Sequence, residues 1–284
     1  MKRLVPFVAV AALALSGCGQ GGSSSVEATP AVTYTDGMAA TVVAVDSANT
    51  FTADFGGTQK QVRLINVAAP SPNGVANSSS CLVDESKNLL VEKLPVGTQV
   101  TLNFDETQRG STGYVEAAVY AGDAFINREM ARAGMVATTF TTAEDEFYGE
   151  ISQAQQEAAS DGVGLYSKGV ECTIPAQLEA QRVRVEEART WQVDLSPDAS
   201  AEDKQRETER QDIYREASAL HRELEGQVQA PAQWVGSIVT LDAVSDQLKD
   251  LRELLGDDFY SDNGSSVNQQ KKAETEATPV RPGS

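Results

Sequence analysis

Residues 41–45 and 50–55 read as strand segments, the second alternating polar and apolar side chains with a period of two, and an apolar-rich run follows, Val62-Arg63-Leu64-Ile65-Asn66-Val67. Successive side chains of a strand point to opposite faces, so a period of two marks a strand with one buried face. Pro70 and Pro72 end the third run, because proline cannot donate to a strand ladder. Residues 38–67 therefore predict three strands, with Asp46-Ser47-Ala48-Asn49 and Gly56-Gly57 as the turns between them. Residues 71–80 are polar and predict a loop. Over 81–94 the period changes: Leu82, Leu89, Leu90 and Leu94 recur at helical spacing until Pro95-Val96-Gly97 stops the helix. Residues 100–104 and 115–120 predict two more strands, 125–133 a helix closed by Gly134, and 144–159 another helix ending at Gly162.

Past Pro175 the chain turns to Glu, Arg, Gln and Ala. Ile213, Ala217, Leu220 and Leu224 form one helical seam, and Val244, Leu248, Leu251 and Leu255 form another. Ser200 and Asp203 have the spacing of a helix-capping pair. Neither seam sustains the heptads of a coiled coil, so residues 176–260 predict two or three amphipathic helices packed on one another or on the preceding domain. Residues 261–284 carry too little apolar surface to offset the entropy of ordering and are expected to be disordered.

Composition adds a compartment to this outline. The chain has 284 residues, 40% of them hydrophobic, enough for one or two domains with a true core. Lys2 and Arg3 precede an apolar run over residues 4–15 that is too short to span a bilayer, followed by Leu15-Ser16-Gly17-Cys18. This resembles a bacterial lipobox: residues 1–17 read as a lipoprotein signal peptide, and Cys18 as the first mature residue and the site of lipidation. Two or more acyl chains would hold the protein on the outer side of the cell membrane. Residues 18–37, rich in Gly, Ser, Thr and Ala, read as a flexible tether. Outside the cytoplasm thiols tend to oxidise, so Cys81 and Cys172, which lie 91 residues apart, are expected to form a disulfide; two buried free thiols are the alternative.

Charge and histidine usage narrow the chemistry. The formal net charge is −18, and residues 31–175 alone hold 18 acids against 8 bases. Nucleic-acid binding draws its affinity from cations set against phosphates, so this field disfavours it as a partner. The single histidine, His221, excludes a His-Glu-x-x-His site, and it reads as a lone surface residue and not as the base of a Ser-His-Asp triad. Two cysteines without neighbouring histidine make no zinc site.

Several segments match one family in order. Arg63-Leu64-Ile65-Asn66-Val67 resembles R-L-x-x-V, Phe104-Asp105-Glu106-Thr107-Gln108-Arg109 resembles F-D-x-x-Q-R, Phe125-Ile126-Asn127 with Arg132-Ala133-Gly134 resembles V-N-x-x-L-V-R-x-G, and Gly164-Leu165-Tyr166-Ser167 resembles G-L-W-S. Over residues 38–175 the chain thus resembles the staphylococcal nuclease (thermonuclease) family, many of whose secreted members also place cysteines like Cys81 and Cys172. The resemblance implies an α+β fold: a five-stranded OB-type barrel with helices, here followed by the helical segment.

It also implies where a site would be. Hydrolysing a phosphodiester without histidine needs a metal held by carboxylates, an acid to direct water, and arginines for the developing charge. The family's two metal aspartates fall on Asn49 and Ala68, its water-directing glutamate on Ser71, and its second phosphate arginine on Tyr114; Arg63 alone is retained. No catalytic residue, metal or cofactor is therefore expected. A guanidinium left at Arg63 is expected to satisfy loop carbonyls or a nearby carboxylate, and Arg109 to make a surface ion pair. Taken with the lipobox, the resemblance leads to the expectation of a membrane-anchored, catalytically degenerate module that binds or scaffolds an envelope protein or a small ligand such as an oligosaccharide or peptide. The alternative is an active Ca²⁺-dependent nuclease with a relocated site drawing on Asp46, Asp84 or Glu85.

Overall fold

Three antiparallel strands open the domain: β1 (Met38–Ser47), β2 (Thr50–Asp54) and β3 (Gln59–Leu64). The tight β2–β3 turn needs left-handed backbone at Gly56 and Gly57, with φ of 71° and 100°. In this computed structural model, residues 34–72, 80–105, 113–139, 146–228 and 234–260 are described. The expected signal peptide over residues 1–17, Cys18, residues 18–33 of the expected tether, Arg109 and the expected tail over 261–284 lie outside them.

Strand β5 (Gln99–Asn103) pairs with β1, and β6 (Val115–Ala121) pairs antiparallel with β5. The sheet closes because β6 also runs parallel to β3, with Val62 opposite Val115, Arg63 opposite Glu116 and Leu64 opposite Ala117. The result is a closed five-stranded barrel with no free edge between its first and last strands. A two-residue strand, β7 (Ala124–Phe125), folds back on β6, and β4 (Val67–Ala68) pairs with β8 (Ala137–Thr138) beside the barrel. Helix α1 (Val83–Lys93) fills the long connection from β4 to β5, and α2 (Ile126–Arg132) and α3 (Tyr148–Asp161) pack together after β7.

The alternation seen in the sequence becomes a core. Phe51, Val62, Leu64, Leu90, Leu102, Phe125 and Met130 are all essentially inaccessible, each contributing about 1.5–3 kcal/mol by burial. Residues 34–37, grouped with the tether on composition, pack on the barrel instead. The Tyr34 ring meets Phe55 edge-on at 5.9 Å and Phe104 at 5.7 Å, and the Asp36 carboxylate accepts from the Phe104 amide at 2.7 Å.

Two glycines fasten the end of the domain. Gly134 (φ 68°) ends α2, and Gly164 (φ 58°) opens a short 3-10 turn, Gly164–Tyr166. Their backbones touch: the Leu165 amide donates to the Gly134 carbonyl at 2.8 Å. The disulfide between Cys81 and Cys172 is present, with Cα atoms 5.4 Å apart, and joins the start of α1 to the start of the next helix.

Among the described residues four further helices follow, where two or three were expected: α4 (Ile174–Arg189), α5 (Ala201–Gln227), α6 (Trp234–Val239) and α7 (Asp242–Tyr260), the last interrupted at Gly256. Thr173 caps α4 and Ser200 caps α5, each hydroxyl accepting the amide three residues on. Leu178, Val185, Ala217, Leu224, Ile238 and Leu251 build a second apolar cluster, to which Cys81, Ala137, Ala158 and Leu165 of the first domain also belong. Among the described residues no helix is long and apolar enough to cross a membrane.

His221 corrects the sequence reading. It is buried, at 2% exposure, where α5 packs on α7. Ala217, His221 and Leu224 lie on one face at spacings of four and three, and neighbouring Leu220 is the half-exposed residue. Burial lowers the pKa of this imidazole and Arg252 reinforces that, while the Glu225 carboxylate and a hydrogen bond to the Leu248 backbone oppose it. An unfolded histidine titrates near about 6.5, so below that pH the unfolded chain takes up a proton that the folded chain resists. Stability should therefore fall as pH drops from 7.5 to 5.5, and a His221→Leu variant should lose that slope in thermal melts. A variant with an unchanged slope would refute this role.

Candidate functional site

The positions of interest gather where β3 leaves the barrel. Strand β3 delivers Arg63 at its end, and Asn66 turns the chain into β4 through a left-handed conformation (φ 57°). Asn127, fully buried on α2, braces this point. Its side-chain amide donates to the Ile65 carbonyl at 2.9 Å and the Ala117 carbonyl at 3.3 Å, and its oxygen accepts from the Val119 amide at 3.0 Å. One side chain thus holds β6 and the β3–β4 turn together. Asp105, also buried, accepts from the Glu146 amide at 3.2 Å.

Arg63 is occupied on two sides. Its guanidinium lies 3.8 Å over the centroid of the Tyr114 ring, and its Nη1 is 3.5 Å from a carboxylate oxygen of Glu116. The barrel closure causes both contacts, because parallel pairing of β3 with β6 puts Glu116 opposite Arg63 and Tyr114 just before it. A guanidinium stacked on an aromatic face and paired with a carboxylate is a stable structural arrangement. Glu116 was not foreseen. It lies 53 residues away, and the alternation of β6 marks its side of the strand but not its partner.

Asn49 is equally engaged. Its Oδ1 accepts from the hydroxyls of Ser47 at 3.1 Å and Thr50 at 3.2 Å, and its Nδ2 donates to the Val67 carbonyl at 3.2 Å, tying the β1–β2 turn to β4. Ala68 pairs with Ala137 and packs against the second apolar cluster. Ser71 is half-buried beyond it and makes contacts of its own.

The residues present do not fit a calcium ion. Calcium takes several oxygens, with carboxylates usually among them, and residues 49, 68 and 71 supply an amide oxygen already bonded to two hydroxyls, a methyl group and one serine hydroxyl. Asp46 is exposed and accepts from the Thr52 hydroxyl at 3.1 Å. Asp84 and Glu85 are exposed in the first turn of α1, where the helix dipole favours acids. Among the described residues no group of three or more His, Cys, Asp or Glu is placed to hold a metal ion.

Residues 61–168 match the family model of staphylococcal nuclease homologues. This is a staphylococcal nuclease-like domain. The match begins inside β3; strands β1 and β2, which precede it, complete the OB-type barrel of the nuclease-like domain. No curated protein matches the chain. The nuclease-like motifs now have physical roles: Asn127 braces the barrel closure, Asp105 holds the start of the segment before α3, and the two glycines of the R-x-G and G-L-x-S motifs are in backbone contact.

Proposed function

We propose that this chain is an extracytoplasmic lipoprotein, held on a membrane through acylated Cys18, whose nuclease-like barrel binds or scaffolds and does not cleave nucleic acid. The engagement of Arg63 carries this reading. An arginine that stabilises a phosphoryl transition state must be free to meet developing charge, whereas Arg63 is covered by Tyr114 and paired with Glu116. The replacement of carboxylates at 49, 68 and 71 supports the same conclusion, and the net charge of −18 opposes the approach of a polyanion.

The test is turnover of denatured DNA and of RNA at millimolar Ca²⁺. Losing one transition-state donor alone costs about 10²- to 10³-fold, so the full-length protein should be at background. Cleavage abolished by chelator and by Arg63→Ala would overturn the proposal and require Asp46 or Asp84 to have taken over the site. Cys18→Ser should shift the protein out of the membrane fraction or leave it as unprocessed precursor; a processed, membrane-bound Cys18→Ser protein would remove the anchor from this reading.

A further inference from the structure

We propose that the groove between α4 and α5 is a docking site for a basic amphipathic helix of a partner protein. The site is separate from the barrel positions and stands whether or not the barrel turns over a substrate.

The groove is open and has a volume of about 810 Å³. Its floor is apolar and low: Ala176, Ala180 and Val183 from α4, and Ala219 and Leu220 from α5. Val183 is 47% exposed, and Ala180 and Ala219 are exposed as well. Along α4 the lining runs from Ala176 to Arg184, roughly 12 Å at 1.5 Å per residue. A trough of that length with an apolar bottom suits two turns of a helix presenting anchors at i, i+3, i+4 and i+7.

The rim selects the sign of the occupant. Glu171, Glu179, Glu216 and Glu223 line it against two cations, Lys168 and Arg184. Lys168 lies 4.0 Å from Glu179 and Arg184 pairs with Glu216 at 2.6 Å, so these two pairs are neutral and the six charges of the lining sum to −2. The excess is acidic, so a helix with Lys or Arg flanking its apolar stripe is complementary. A second copy of this chain, with a net charge of −18, brings like charge to the same rim.

The experiment titrates full-length protein with three labelled synthetic peptides, read by fluorescence anisotropy. The first is an amphipathic helix of Leu, Ala and Lys, the second the same helix with Glu for Lys, and the third a scrambled Lys peptide of equal charge without an apolar stripe. Saturable binding of the first alone is expected, weakened by roughly tenfold or more in Ala180→Arg and in Ala219→Arg. Both substitutions fall on exposed sites and should leave the thermal midpoint unchanged. Absence of binding by any peptide, equal binding of the scrambled peptide, or unweakened binding to both variants would overturn the proposal. So would a concentration-dependent dimer in sedimentation that either variant abolishes, since the groove would then be filled by a second copy.

Discussion

Gly164→Ala should lower the stability of the folded protein by about 3–5 kcal/mol. A Cβ at this position would sit 2.3 Å from the Gly134 carbonyl oxygen, 2.6 Å from its carbon and 2.7 Å from the Ala133 carbonyl oxygen. All three are backbone atoms at the end of α2, so no side chain can swing aside to relieve the clash. The left-handed φ of 58° adds the strain of placing an L side chain there, about 1–2 kcal/mol. Moving the segments apart also breaks the Leu165–Gly134 hydrogen bond. Gly97→Ala serves as the control, because its φ is 89° but no atom lies within 4 Å of its Cβ position; it should cost only the backbone strain. The check is denaturant unfolding of both variants, and equal losses would show that the Gly134–Gly164 contact is not what fastens the domain.

Replacing both members of the disulfide, as Cys81→Ser with Cys172→Ser, should cost about 4–5 kcal/mol for an unstrained closed loop of this length in the chain-entropy model. The bond spans 91 residues and ties the start of α1 to the start of α4, so it restrains the barrel helices and the helical segment together. For a body of this size, a loss of that order lowers the thermal midpoint by roughly 8–20 °C. Calorimetry of the double variant against the oxidised protein measures it. A fall of under about 1 kcal/mol would mean that the unfolded chain is already confined by other means.

The barrel was legible because β2 and β5 alternate with a two-residue period, the other strands are short apolar-rich runs bounded by turn residues, and two of its helices end at Gly134 and Gly162. What escaped lacked periodicity or a local partner. Tyr34 is a single aromatic in a polar stretch, and nothing nearby in sequence announces Phe55 and Phe104 as its neighbours. Helix α6 reads Trp-Val-Gly-Ser-Ile-Val, a short apolar run buried throughout, and such a run has no face from which to tell helix from strand. His221 was misplaced because the seam was traced through Leu220; the alternative trace, one residue on, puts the imidazole on the buried face. At the candidate site the residue identities were legible and their partners were not. Barrel closure brings Glu116 to Arg63, and that is a property of the whole sheet.

Ala68 ties the barrel to the second apolar cluster. Its neighbour across the β4–β8 ladder, Ala137, lies in the second apolar cluster, and Ala68 itself rests against that cluster. An aspartate placed at 68 would set a carboxylate against hydrocarbon, and the resulting desolvation would oppose folding before any cation could be bound. The side chain that position 68 can carry is thus set by the packing of the helices. A change at 68 is therefore felt in two places at once, at the barrel and in the helical cluster that rests on it.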